Sequence, residues 1–371
     1  MRIIALGGAG DMGSFAVRDL ASRDEVTELM IADYDAEKAD ALARELGDRC
    51  SWRKIDANDA TSLASAIEGF DVATGAIGPF YKYEYKVARA ALDAGVDYVS
   101  ICDDYDAAEA VFELDAAAKK KGVLILTGLG WTPGLSNILA RMGADRLDEV
   151  EAVAVAWGGS ASDSEGYAVI LHTIHIFTGF VPTYQHGRHR LVQAGSDREP
   201  ILFPDPVGMV NVYNLGHPEP VTIPKYIKTP NVTLKGGLSE QELNQVARWI
   251  DKLHMTRTVS RKDAVGKLIK FLGPVLFKLG QPDMPCSAIR VDVTGTKGGK
   301  TQQVTFGAAD HMNAITGYPL AIGALMMGSG EIKGKGVMAP EAIVPPGRFL
   351  EELGARGVKV YEGENFEKLI N

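Results

Sequence analysis

Residues 2–13 read Arg2-Ile3-Ile4-Ala5-Leu6-Gly7-Gly8-Ala9-Gly10-Asp11-Met12-Gly13, and twenty positions beyond Gly13 the chain reaches Asp33 through Ile31-Ala32. Arg2 to Leu6 is a short apolar run suited to a buried strand. Gly8, Gly10 and Gly13 follow at once in G-x-G-x-x-G spacing. Ser14 to Ala21 places apolar residues at helical intervals, and Glu28 to Ala32 reads as the next strand. Taken alone the glycines say little. Ordered as strand, turn, helix, strand and terminal acid, they form a dinucleotide-binding βαβ unit. The alternative, a glycine-rich turn of some other α/β protein, does not require that order.

Each part of the unit has a physical task. Gly8 is expected to permit the tight turn, Gly10 to let the backbone approach a pyrophosphate, and Gly13 to let the helix pack closely on the strand. Ala9, Asp11 and Met12 complete the contact, and the helix N-terminus turns free N–H groups and a positive dipole end toward phosphate. Asp33 is expected to accept from the adenosine ribose hydroxyls and to repel a 2′-phosphate. Tyr34 beside it brings no positive charge, so the reading is NAD rather than NADP.

Composition narrows the function classes. A chain of 371 residues suggests about two domains. Its net charge of −9 argues against nucleic acid or an anionic membrane as the main partner. Tyr318 to Gly328 is apolar but far short of the ~20 residues a membrane span needs. The N-terminus shows no signal-peptide pattern. Cys50, Cys102 and Cys286 are scattered, without disulfide or metal spacing. All this fits a cytoplasmic protein.

Alternating strands and helices continue to about residue 126. Helices are expected over Asp35–Leu46, Ala60–Ile67, Tyr83–Ala94 and Asp106–Lys120, with strands Ser51–Ile55, Asp71–Ala76, Tyr98–Ile101 and Val123–Leu126 between them. Such repeats imply an α/β fold with a Rossmann doubly wound parallel sheet. After Gly134 the pattern changes. Strands at Glu149–Trp157, Ile201–Phe203, Val207–Val212 and Asn231–Leu234, with a hairpin at Ala288–Thr296 and Thr301–Ala308, predict a second α/β (α+β) domain with a mostly antiparallel sheet. Ser239 and Glu242 form a capping box for a helix to Leu253. A long apolar helix follows from Met312.

Several segments together resemble the saccharopine dehydrogenase family, and within it the lysine 6-dehydrogenase group. They are Gly8–Gly13, Lys54–Asp59, Gly75–Phe80, Ala90–Val99, and above all Gly128-Leu129-Gly130-Trp131-Thr132-Pro133-Gly134-Leu135-Ser136-Asn137. That last piece is similar to the family's Gly-x-x-Pro-Gly-x-x-Asn segment. Gly336–Glu341 and Phe349–Leu353 also fit. The resemblance implies hydride transfer between a nicotinamide and a CH–NH carbon of an amino acid or amine. It implies a helix from Met312 that returns to the first domain. The Ala288–Ala308 hairpin is expected in an open sheet whose edge could pair with another chain, so a homodimer is expected. The expected division is then 1–130 plus 312–371 for the cofactor, and 131–311 for substrate binding and dimerisation. The rivals are a dehydrogenase of the same fold for another substrate (saccharopine, carboxynorspermidine, an apolar carbonyl or enoyl compound) and a non-catalytic NAD-binding regulator.

Ligands of such sheets lie beyond the carboxyl ends of the strands. Asp56 and Ala57 are expected near adenine. Ala76, Ile77, Gly78 and Pro79 are expected along the nicotinamide-side ribose, with Trp131 also against the cofactor. Asp103 and Asp104 are adjacent carboxylates at a strand end, suited either to proton transfer or to capping the helix near Asp106. The family resemblance adds Asp97 as a catalytic candidate, with Arg89 in the same region. It is poor over 158–230, where His172 is a further catalytic candidate and His175, Arg188 and Arg190, with Tyr81, are candidates for substrate binding. The pairs His172/His175 and His186/His189 have i, i+3 spacing but no third ligand, so no metal is expected.

Overall fold

The first unit is built on seven parallel strands in the order β15 (Gly336–Met338), β6 (Leu124–Leu126), β5 (Asp97–Ser100), β4 (Val72–Gly75), β1 (Arg2–Leu6), β2 (Glu28–Asp33) and β3 (Cys50–Lys54). In the computed structural model, residues 1–163, 166–240, 258–276 and 285–371 are described. The expected helix ending at Leu253 lies almost wholly outside them. The chain divides into two units, Met1–Leu135 with Asn313–Arg356, and Ser136–Met312 with Gly357–Asn371.

The first unit runs β1 (Arg2–Leu6), α1 (Asp11–Ala21), β2 (Glu28–Asp33), α2 (Ala36–Leu46), β3 (Cys50–Lys54), α3 (Ala60–Ile67), β4 (Val72–Gly75), α4 (Phe80–Ala94), β5 (Asp97–Ser100), α5 (Tyr105–Phe112), α6 (Asp115–Lys121) and β6 (Leu124–Leu126). From β1 the chain winds outward to β2 and β3, then crosses back to β4, which pairs with β1 on its other side. The switch point between β1 and β4 opens the crevice in which such sheets hold ligands. Ile4, Leu6, Ala73, Val87, Ala91 and Tyr98 lie in its buried core. Where one helix was expected over 106–120, two form. The chain turns at Glu113-Leu114 and buries Leu114, a turn with no glycine or proline to announce it. The Met312–Gly328 helix packs on α1 through Gly317, whose Cα faces Phe15 and Met12.

The second unit holds α7 (Leu135–Ala144, from its second residue), β7 (Glu149–Gly159), α8 (Tyr167–Ile176), β8 (Phe180–Gln185), β9 (Arg188–Gln193), β10 (Glu199–Leu202), β11 (Met209–Asn214), α9 (Glu219–Tyr226), β12 (Val232–Leu238), β13 (Ser287–Lys297), β14 (Lys300–Asp310), β16 (Val360–Glu362) and β17 (Lys368–Leu369), while β15 (Gly336–Met338) pairs with β6 in the first. Its sheet runs β10-β11-β12-β7-β13-β14-β16-β17, with β8 and β9 off β12. Only β12–β7 is parallel among these pairings. One expectation needs correction. Residues 357–371 belong to this unit, because Val360–Glu362 pairs with Phe306–Ala308. The β13–β14 hairpin lies inside this open sheet, between β7 and β16.

Candidate active site

The dinucleotide turn differs in detail from its sequence reading. Gly7, not Gly8, has the left-handed conformation (φ +77°), and a Cβ there would fall 2.7 Å from the Ala76 backbone. A Cβ on Gly8 would press on Ala5 and Val17, and one on Gly13 would fall 2.1 Å from the Gly7 oxygen. Gly10 is the N-cap of α1 and no side chain caps this end. This end of α1 thus turns backbone amides and a positive dipole end, with no side-chain cap over them, toward the place a pyrophosphate would take. Asp11 also accepts a long contact, 3.4 Å, from Asn313.

Asp33 is fastened to this turn. Its Oδ2 accepts from Ala9 N and its Oδ1 from Asp35 N, each at 3.0 Å. A carboxylate oxygen has a second lone pair, so both can still accept from ribose. Tyr34 is 69% exposed, and Lys54 Nζ stands 5.3 Å from its ring centroid. Lys54 is in register with Asp33 across β2 and β3. The tertiary structure thus brings a cation to a place where the local sequence has none. Asp56 takes Asn58 N at 2.8 Å and Asn58 Nδ2 at 3.1 Å in an exposed turn, with Ala57 buried beside it. Ala76 N donates to Leu6 O at 2.8 Å, which places Ala76–Pro79 directly beyond the β1–β4 switch point. Trp131 is buried in the loop beyond β6, closed by the Gly130 N bond to Pro133 O.

The carboxylates separate by role. Asp104 occupies the N-cap position of α5, yet its side chain makes no cap bond there. It is wholly buried, and its Oδ2 accepts from Tyr81 N, in the first turn of α4, at 2.8 Å. Capping of α5 by this side chain is therefore corrected. Asp97 begins β5, about 10 Å from the strand's carboxyl end at the usual rise per residue. Its Oδ1 accepts from Leu124 N at 2.8 Å, while burial raises its pKa and that bond opposes the rise. Asp97 braces two strands at the amino end of β5, opposite the carboxyl ends where such sheets hold ligands, which corrects its catalytic assignment. Arg89 is paired with Asp93 on the exposed side of α4.

Between them lies a residue the sequence reading passed over. Glu84 on α4 is 1% exposed. Its Oε1 accepts from Ser100 Oγ at 2.5 Å and its Oε2 from the Tyr98 hydroxyl at 2.9 Å. Burial pushes its pKa up to about 7; the two hydroxyls oppose this, and Asp103 and Asp104 add to it. Burial likewise holds the Tyr98 hydroxyl and the Cys102 thiol well above their ordinary values. The missed signal was periodicity. Glu84 shares the helix face of Val87, Ala88 and Ala91, all buried.

In the second unit His172 and His175 lie on α8 but have different neighbours. His175 is buried and its Nδ1 meets Lys262 Nζ at 2.5 Å. The His172 ring stands edge-on to His217, centroids 5.2 Å apart, and His217 also packs near the Trp157 indole at 6.0 Å. Glu219, fully buried at the start of α9, holds Oε2 3.9 Å from His217 Nδ1 and accepts from Ser136 Oγ at 2.8 Å. Asn137 donates to Thr222 Oγ1 at 3.2 Å. The Ser136-Asn137 end of the Gly128–Asn137 segment thus anchors the His217–Glu219 stretch, which carried no role in the sequence reading. His186 sits in the β8–β9 turn and His189 on β9, so their i, i+3 spacing is not a helix face. Arg188 and Arg190 are exposed on the same strand.

Similarity to known proteins agrees with this architecture. Residues 3–126 match the saccharopine dehydrogenase NADP binding domain, and residues 130–358 the saccharopine dehydrogenase C-terminal domain. Carboxyaminopropylagmatine dehydrogenase of Synechocystis sp. is 23% identical over 98% of both chains. Apo saccharopine dehydrogenase (L-Glu forming) from Saccharomyces cerevisiae shares the fold, with a TM-score of 0.68 over 100% of both chains at 16% identity. Among the described residues no helix is long and apolar enough to cross a membrane. A nicotinamide dinucleotide turn in one unit, and matches that together run nearly end to end, make the chain a member of the saccharopine dehydrogenase family, an NAD(P)-dependent oxidoreductase.

Proposed function

We propose that this protein is an NAD-dependent dehydrogenase that moves hydride between the nicotinamide and a nitrogen-bearing carbon of an amino acid or amine. The observation that carries the reading is the uncapped start of α1 with Asp33 bonded to its turn. When bound, the nicotinamide supplies the hydride donor or acceptor. The chain's own share is to hold the phosphates on the α1 amides, the ribose on Asp33 and the nicotinamide half along Ala76–Pro79. It must also move one proton, for which Asp103 and His172 are the candidates. NAD is favoured because Asp33 opposes a 2′-phosphate. Lys54 tempers that repulsion, so we expect a preference rather than an exclusion.

L-Lysine is the first substrate to test. The end-to-end match with carboxyaminopropylagmatine dehydrogenase favours a second reading, an N-substituted amine of that kind. A spectrophotometric screen of lysine, saccharopine, carboxyaminopropylagmatine and simple amines with NAD and NADP decides between them. Reduced cofactor should form with at least one. If none reacts while the dinucleotide binds, the proposed substrate class is wrong. A homodimer belongs to the same proposal, and sedimentation of the purified chain tests it.

A further inference from the structure

We propose that Glu84 is a positioning residue for the nicotinamide half of the dinucleotide: its neutral carboxyl ties α4 to β5 and so fixes Ala76–Pro79, and its ionisation loosens that segment. The inference rests on the reading that this unit binds a nicotinamide dinucleotide. It starts from where Glu84 stands. Phe80, the first residue of α4, directly follows Ala76–Pro79, and Glu84 lies one turn further on. From there it accepts from Ser100 at 2.5 Å and Tyr98 at 2.9 Å, both on β5. The Tyr98 hydroxyl in turn lies over Gly75, where a Cβ would come within 1.9 Å. Gly75 ends β4 and leads straight into Ala76. Helix, neighbouring strand and the root of the cofactor segment are thus closed into one ring of contacts around a single carboxyl. Asp104 fastens the same helix start through Tyr81 N.

The groups facing Glu84 are Tyr98 and Ser100 from β5, and Cys102, Asp103 and Asp104 from the loop after it. Ionised Glu84 adds a negative charge, away from water, beside Asp103 and Asp104. Moving α4 away from the end of β5 admits water to the buried charge and relieves that repulsion, which together outweigh the Ser100 and Tyr98 bonds that favour the charged form, and Ala76–Pro79 must move with it. The carboxyl titrates at about 7, so the change falls at ordinary working pH.

Fluorescence titration of the full-length protein with NADH, and in parallel NADPH, from about pH 6 to about pH 8.5 tests this without any substrate. The reduced nucleotides are chosen because their nicotinamide carries no charge of its own. Linkage permits up to about tenfold in Kd per pH unit above the midpoint. We expect the tighter-binding nucleotide to lose about fivefold or more over the range. Glu84→Gln, whose side chain does not ionise, should abolish the dependence. Ser100→Ala removes a hydroxyl that lowers the carboxyl's pKa, so it should move the midpoint upward; it decides the matter if Glu84→Gln loses its fold by circular dichroism. A pH-independent wild-type Kd, a dependence that survives in folded Glu84→Gln, or an unmoved midpoint in Ser100→Ala overturns the proposal. Failure of both nucleotides to bind at every pH overturns the cofactor reading itself, and this inference with it.

Discussion

Replacing Glu84 by Gln should change how the stability of the first unit depends on pH. In the folded protein burial raises this carboxyl from 4.5 to about 7. The native state then holds a proton that the unfolded chain releases between those two values. Unlike an ion-paired carboxylate, this group lowers stability as pH rises through the window: its effect is absent below about 4.5 and complete above about 7. At about 1.4 kcal/mol per unit, the loss amounts to about 3 kcal/mol, a large share of a domain's net stability. Glutamine keeps the volume and one acceptor but does not titrate. The difference in unfolding free energy between wild type and Glu84→Gln should therefore fall by about 3 kcal/mol between about pH 4.5 and pH 8. Native-state hydrogen exchange at the β4 and β5 amides reads this within the unit concerned. A difference that stays flat within about 0.5 kcal/mol across that range would show that Glu84 is hydrated rather than buried as described.

Other outcomes follow from single contacts. Gly13→Ala sets a methyl 2.1 Å from the Gly7 oxygen, so the turn must open; calorimetry should show dinucleotide affinity lower by about tenfold or more, and unchanged binding would contradict the assigned turn. Asp33→Ala should move the NAD-to-NADP Kd ratio about tenfold toward NADP, with Lys54 then meeting the 2′-phosphate; an unmoved ratio would remove Asp33 from the ribose site. Arg356→Ala leaves Asp19 buried with Arg23 as its remaining basic partner, which should cost about 3 kcal/mol in urea unfolding. Asp97→Asn should cost about 1 kcal/mol through the weakened bond to Leu124 N while kcat/KM stays within about twofold; a larger kinetic loss would return Asp97 to the catalytic candidates.

The first unit was the more legible because its information is local. A parallel strand inside the sheet is a largely apolar run, and the helix that follows must put one apolar stripe against it, so β1, β2 and β4 can be read one segment at a time. The α4 start is less legible. Phe80, Tyr81 and Lys82 give no cap signal, because the partner of Tyr81 N is Asp104, over twenty positions away. In the second unit His217 and Glu219 meant nothing locally, since Ser136 and His172 reach them from distant elements.

From the residues in order came the dinucleotide turn, the acid at the tip of the second strand and the family. The first two depend on spacing along one βαβ unit, which chain stereochemistry already dictates, and the family on short segments each legible in itself. Only the folded chain decided that Gly7 bears the left-handed turn, that Lys54 stands beside Asp33, that Asp97 braces the far end of its strand, and that Glu84 is shut away from water among acids. Those are matters of register and burial, set by which segments the sheet places side by side, and a carboxyl's chemistry follows from its surroundings rather than from its neighbours in sequence.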